Sequence, residues 1–191
     1  MIRSGLKIGF MGAGGTGKTT TAKVVSETLN VPTIKSASRA VYEQDNLSEE
    51  KCMALDNVGK YELQFRIFGM KTELDKQTFA FVADRTLLDH WAYCLMYCGS
   101  FIPNDEYTQF EENVRVHMRS TYTHLFYFPF GYWFPEKGDG VRQDHYSWQS
   151  AIDAIILGYI HRWRLPVTEV KQNSGALARN EFVLNTIRRT M

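Results

Sequence analysis

The chain predicts an α/β fold of three layers, a five-stranded, mostly parallel sheet with helices on both faces. Three observations lead there. Five short apolar runs alternate with helical stretches of more than about ten residues, the pattern of βαβ units. The first run leads directly into a glycine-rich stretch, "GAGGTGKTT", and the third, "FAFVAD", ends on the carboxylate of Asp84. With 191 residues and no internal repeat, low-complexity tract or Pro/Ser-rich linker, a single domain over 1–191 is expected.

Taken in order, "LKIGFMG" is short, apolar and closed by glycine, as a buried strand should be. From Lys18 to Asn30, Thr20, Ala22, Val24, Val25 and Leu29 suit a helix, which "NVP" stops. "PTIKS" is the second strand and "FAFVAD" the third. Helical stretches lie between them, the clearest being "KYELQFRIFGMKTELDK", where Leu63, Ile67, Met70 and Leu74 recur at helical spacing. "TLLDHWAYCLMYC" and "NDEYTQFEENVRVHMRS" are further helices. "HLFYF" is the fourth strand, "DHYSWQSAIDAIILGYIHRW" a long helix, "PVTEV" the fifth strand, and the tail from Ala176 is helical. Open parallel sheets bind ligands at the carboxyl ends of their strands, which is where the glycine stretch would lie.

Gly12, Gly17, Lys18 and Thr19 fit G-x-x-x-x-G-K-[ST], after an expected strand and opening an expected helix. Glycines let such a loop turn its backbone N–H groups inward around phosphate oxygens, and the positive end of the following helix reinforces the nest. The expected fold is therefore that of a P-loop NTPase. Gly12, Ala13, Gly14, Gly15, Thr16, Gly17, Lys18, Thr19 and Thr20 are the candidate ATP contacts. Lys18 would reach the β- and γ-phosphates, and the Thr19 hydroxyl would bind Mg²⁺. Asp84, at the end of its strand, would lie beside this loop and either help hold Mg²⁺ or take a proton from an acceptor hydroxyl. Arg85 could hold an anionic group bidentately. The alternative is that Asp84 and Arg85 merely pair with each other. Asp89 and His90 follow at the start of the next helix, gathering polar groups at one sheet edge.

In "GAGGTGKTT", "SASRAVYEQ", "VADRTLLDHWAY" and "DGVRQDHYSWQSAIDAII" the chain resembles the P-loop kinases of nucleosides and nucleotides. It is most similar to the thymidylate-kinase-like and nicotinamide-riboside-kinase-like branch common in bacteria and phages. The resemblance runs from about Lys7 to Trp163, and only its first motif is highly specific. It implies that Asp84, Arg85 and Arg39 serve the acceptor and that a basic lid, Arg142 with Lys137, closes over the phosphates. "PEKGDGVRQD" carries fewer basic residues than lids with several arginines, which is a departure from the family pattern.

The region at about 131–146 also has a physical reading as a mobile lid. An aromatic cluster adjoins a charged loop with glycines at 138 and 140, and water exclusion protects phosphoryl transfer from hydrolysis. Arg142 would stabilise charge on the transferred group, or else pair with Asp139 or Asp144 on a plain surface loop. Aromatics make up 14% of the chain, and a flat acceptor base could stack on one of several that flank the site. Spacing in "YELQFRIF" puts Tyr61, Phe65 and Phe68 along one side, facing a cavity, which makes Gln64 and Arg66 candidate base or phosphate contacts.

The expected activity is thus an Mg·ATP-dependent kinase acting on a nucleoside or nucleotide acceptor. Two alternatives stay open. One is the same chemistry on a 5-hydroxymethylpyrimidine base in phage DNA, which a net charge of +1 counts against and the basic residues Arg162, Arg164, Arg188 and Arg189 favour. The other is a nucleotide-switched NTPase with no acceptor. A guanine-reading Asn-Lys-x-Asp motif is absent from the sequence. The apolar run near the N-terminus is too short for a signal peptide, and no run of roughly 18 apolar residues occurs to span a bilayer. No membrane partner is expected, and the location expected is the cytosol, that of a host if the chain is phage-encoded. A homodimer is admissible. Cys52, Cys94 and Cys98 read as buried thiols, and the five histidines have no metal spacing.

Overall fold

The computed structural model describes residues 5–77, 79–131, 145–170 and 175–190. Its elements are β1 (Lys7–Met11), α1 (Lys18–Leu29), β2 (Thr33–Ile34), α2 (Ala37–Asp45), α3 (Glu49–Ala54), α4 (Asn57–Gln77), β3 (Phe81–Asp84), α5 (Leu87–Cys98), α6 (Asn104–Thr121), β4 (His124–Tyr127), α7 (Tyr146–Trp163), β5 (Val167–Glu169) and α8 (Gly175–Thr190). The strands form one sheet in the order β2-β3-β1-β4-β5, and every neighbouring pair is parallel. This is the three-layer P-loop NTPase fold that the sequence predicts.

Alternation along the strands sorts the core into two layers. Ile8, Phe10, Val82 and Phe126 face one side, where Ala22 and Val25 of α1 meet Val183, Leu184 and Ile187 of α8. Met11, Leu125 and Tyr127 face the other, against Leu88 and Trp91 of α5 and Ile152 and Ile156 of α7. The central strand β1 is covered on both faces, which is why it reads as an unbroken apolar run. The edge strands come out shorter than the sequence suggests, two residues for β2 and three for β5. Each has a ladder partner on one side only.

Helices α2 and α3, which the sequence pattern did not delimit, bury Ala37, Val41 and Cys52 against Leu63 and Ile67 of α4. Along α4 the most buried row is Leu63, Ile67, Lys71 and Asp75, while Met70 and Leu74 are only partly covered. The apolar repeat thus finds the helix but misplaces the inner end of its buried stripe, which is closed by an ion pair. All three cysteines are buried, and none forms a disulfide. Among the described residues no group of three or more His, Cys, Asp or Glu could hold a metal ion, and no helix is long and apolar enough to cross a membrane.

Candidate active site

The site forms where β1 and β3 end side by side, with Phe10 opposite Asp84 in the ladder. The loop leaves β1 at Gly12, whose φ of 139° and close approach to the Phe128 carbonyl, 2.4 Å from where a Cβ would stand, exclude any side chain. The turn closes at Gly17, the N-cap of α1, with φ 85°. No side chain caps this terminus and its first turn carries no acid, so the N–H groups and positive dipole end of α1 are turned to whatever the loop encloses.

Within the loop, Lys18 Nζ donates to the Ala13 carbonyl (2.5 Å) and to Thr16 Oγ1 (3.0 Å), and only 5% of Lys18 is exposed. Thr19 Oγ1 donates to Asp84 Oδ2 at 2.7 Å. A hydroxyl and a carboxylate oxygen, from two elements far apart in sequence, meet at the mouth of the loop. Both are hard oxygen donors of the kind Mg²⁺ takes, usually one or two carboxylates together with substrate phosphates. Thr20 points outward and is exposed.

Two further residues tie the loop to α5 and α7. Asp89, fully buried, accepts from Gly12 N (3.0 Å) with Oδ1 and from Thr86 N and Oγ1 (2.7 and 2.8 Å) with Oδ2. The Thr86–Asp89 pair is the capping box of α5, so one carboxylate starts that helix and fixes where the phosphate loop begins. Gln149 Oε1, from α7, accepts from Gly14 N at 2.6 Å and from Tyr93 OH at 3.2 Å.

Arg85 lies between these groups. It is a non-glycine residue with φ 89°, its N–H donates to the Phe10 carbonyl at 3.2 Å, and its guanidinium stands over the Tyr93 ring at 5.0 Å with Nη1 3.9 Å from Asp89 Oδ1. Asp84 and Arg85 therefore do not simply pair with each other. Burial works against the Arg85 charge, but Tyr93, Asp89 and Asp84 outweigh it and hold its pKa above the ordinary arginine value. Nη1 is buried and makes no hydrogen bond, Asp89 Oδ1 lying beyond hydrogen-bond reach. His90 is also buried, and burial together with the Arg85 and Lys71 charges pushes its pKa down to about 3, so the ring is neutral.

The remaining candidates divide. Gln64 is buried and lines a small cleft with Tyr61, Phe65, Phe68, Cys94 and Phe110, in keeping with the aromatic side expected of α4. Arg66 is turned away from it. Its guanidinium forms a fork with the Asp45 carboxylate on the exposed side of α2, with Nη2 2.8 Å from Oδ1. Arg39 is exposed on α2. Arg142, with the expected lid around it, lies outside the described residues. Sequence reasoning missed the parts played by Asp89 and Gln149. The Thr-x-x-Asp spacing ahead of an apolar helix could have revealed the first. No local pattern marks the second.

Comparison with known proteins bears on the fold. A search of curated proteins finds no match. Among solved structures, the chain is similar to a NadR protein in complex with NAD and AMP-PNP, at 15% identity and TM-score 0.70, with 96% of this chain and 49% of that one covered. It spans about half the length of the NadR chains it matches. A deoxyadenosine kinase from M. mycoides with bound dCTP aligns at 15% identity and TM-score 0.70 over 96% of this chain and 100% of that one. Shikimate kinase from Acinetobacter baumannii in complex with shikimate aligns at 14% identity and TM-score 0.60, over 97% and 94%. At these identities the likeness is one of fold. A family model described as AAA domain matches residues 7–177, nearly the whole chain, and the protein belongs to that family.

Proposed function

We propose that this protein is an Mg·ATP-dependent kinase that transfers a phosphoryl group to a nucleoside or nucleoside monophosphate. The observation that carries this is the 2.7 Å bond between Thr19 Oγ1 and Asp84 Oδ2, which joins the phosphate loop to the start of the Asp84–Arg85 turn. Support of a second kind comes from the fold: NadR with AMP-PNP and deoxyadenosine kinase with dCTP are nucleotide-bound structures built the same way.

Lys18 would leave the Ala13 carbonyl and Thr16 for β- and γ-phosphate oxygens, since both of those bonds are made within the loop itself. Thr19 and Asp84 would hold Mg²⁺, which when bound neutralises charge between the β- and γ-phosphates. Asp84 would also orient the acceptor hydroxyl. Arg85 would offer its Nη1 to the acceptor, Arg39 would help to position it, and Gln64 would meet the edge of its base while the rings beside it pack on the base face. Arg142, on a lid at about 131–146 of one domain spanning 1–191, would close over the transferred group. Because the transition state of phosphoryl transfer is loose, positioning and charge supply most of the rate, and Asp84→Asn should retain measurable activity. Its functional kin would include the thymidylate-kinase-like and nicotinamide-riboside-kinase-like enzymes.

The test is ADP production from Mg·ATP with and without a panel of acceptors: nucleosides, nucleoside monophosphates, nicotinamide riboside, and DNA with and without 5-hydroxymethyluracil. A nucleoside or nucleotide that raises the rate far above background is the expected result. ADP formation equally fast without acceptor would make the protein an NTPase and remove the acceptor roles of Asp84, Arg85 and Arg39.

A further inference from the structure

Arg179, near the start of α8, is a buried cation to which nothing above gives a role. It is 8% exposed, and its Nε donates to Thr21 Oγ1 at 3.1 Å. Its Cζ, Nη1 and Nη2 lie 2.8, 2.8 and 2.7 Å from where a Cβ on Gly17 would stand. Three nearly equal distances mean that the guanidinium lies flat over that glycine. Gly17 thus does more than permit the left-handed turn: it leaves the space in which an arginine covers the N-cap of α1. Among the described residues no carboxylate pairs with Arg179, and burial holds its pKa below the ordinary arginine value. The helix it covers ends positive, with no acid in its first turn, and the first turn of α8 carries no acid either. A buried cation set against positive helix ends is costly, and an anion that joins it offsets that cost.

Helical geometry says on which flank that anion belongs. Thr19, bonded to Asp84, and Thr21, bonded to Arg179, are two residues apart in α1, about 200° around its axis. Arg179 therefore stands on the flank of the loop opposite Asp84, away from the acceptor and the transferred group. Loops of this type cradle the α- and β-phosphates with the amides at the start of the helix, while the lysine reaches onward to the β and γ. We propose that Arg179 binds the α-phosphate of the donor nucleotide, closing the back of the phosphate loop; this rests on the proposal that the loop holds ATP.

Calorimetric titration of the full chain with Mg·ATP and with inorganic tripolyphosphate tests it, on the wild type, Arg179→Met, Arg179→Lys and Lys18→Met. Arg179→Met should weaken both ligands about 10- to 100-fold, as expected for a lost bond to a charged group. Arg179→Lys should recover part of the loss. At saturating ATP, kcat should stay within about twofold of wild type while KM for ATP rises, because this flank binds but does not react. A loss confined to ATP, with tripolyphosphate unchanged, would overturn the proposal by moving the guanidinium to the base. So would unchanged binding of both, or a fall in kcat at unchanged KM. If the methionine variant does not fold, the lysine variant is read against the same outcomes. Lys18→Met separates the two proposals: ATP affinity retained in it removes ATP from the loop altogether, whereas affinity lost there but kept in Arg179→Met removes only the role of Arg179.

Discussion

Among the described residues two lysines are buried, at opposite ends of one sheet, and they are held in opposite ways. Lys71 lies at the amino ends of the strands, between the rings of Phe81 and Tyr122, and donates to Asp75 Oδ1 at 2.5 Å. Asp75 Oδ2 accepts in turn from Tyr122 OH at 2.7 Å and lies 2.9 Å from His117 Nε2, while Lys7 Nζ reaches the Asp75 carbonyl at 3.1 Å. Burial alone would raise the Asp75 pKa, but His117, Lys71 and Tyr122 outweigh it and hold it below the usual carboxylate value. That cluster closes on itself. Lys18, at the carboxyl ends, donates to a carbonyl and a hydroxyl of its own loop. Exchanging those neutral oxygens for phosphate oxygens gains charge attraction, whereas opening the Lys71 cluster would strand a buried carboxylate. One buried lysine is locked to a carboxylate of its own helix; the other, under the proposed function, exchanges its loop oxygens for those of a phosphate.

The contrast breaks most readily at Lys71. Lys71→Met should cost about 3–5 kcal/mol of stability in urea denaturation, because it leaves Asp75 uncompensated, yet leave turnover per folded molecule unchanged. Adding Asp75→Asn should restore part of that loss, and a double variant no more stable than the single would show that the pair is not closed. Lys18→Met should do the reverse, lowering turnover about 10²- to 10³-fold with a much smaller loss of stability. Equal losses of stability in the two variants would erase the distinction.

His90, between the two ends, sharpens it by pH. With its pKa down to about 3 in the fold and at 6.5 as the ordinary value, the folded chain binds fewer protons than the unfolded chain between those limits. Stability contributed by the neutral ring is therefore complete above about pH 7 and declines as pH falls through that window, by about 3 kcal/mol at pH 4. His90→Asn should flatten that slope, and a wild-type profile parallel to the variant's would retire the assignment. The smallest effect expected is at the cleft, where Gln64→Leu should raise KM for the acceptor about tenfold and leave KM for ATP alone, a lost hydrogen bond felt on one side of the reaction only.

How far the sequence could reveal this follows from which interactions are local. The phosphate loop is contiguous, and its glycines and lysine announce it. Asp84 is readable because an apolar strand delivers it to a known edge. The helix α4 is readable from its apolar repeat, but Lys71 and Asp75 look like any surface pair four residues apart, and only the rings of Phe81 and Tyr122 make them interior. Gln149 reaches Gly14 across 135 residues, and Arg179 reaches Thr21 across 158. Such contacts exist only once the layers have packed. The pairing of Arg66 is hidden for the same reason, since its partner Asp45 lies on a helix that the pattern did not delimit.

The left-handed backbone of Arg85 has a consequence for how the position tolerates change. At φ 89° any residue with a β-carbon is strained, asparagine less than most, and glycine, with none, is not. In a saturation scan scored by folded yield, Gly and Asn at 85 should therefore match or exceed arginine, while scored by acceptor-dependent ADP formation, arginine should stand alone. A site where the two rankings disagree is one where the chain has accepted a misfit conformation to keep one side chain in place.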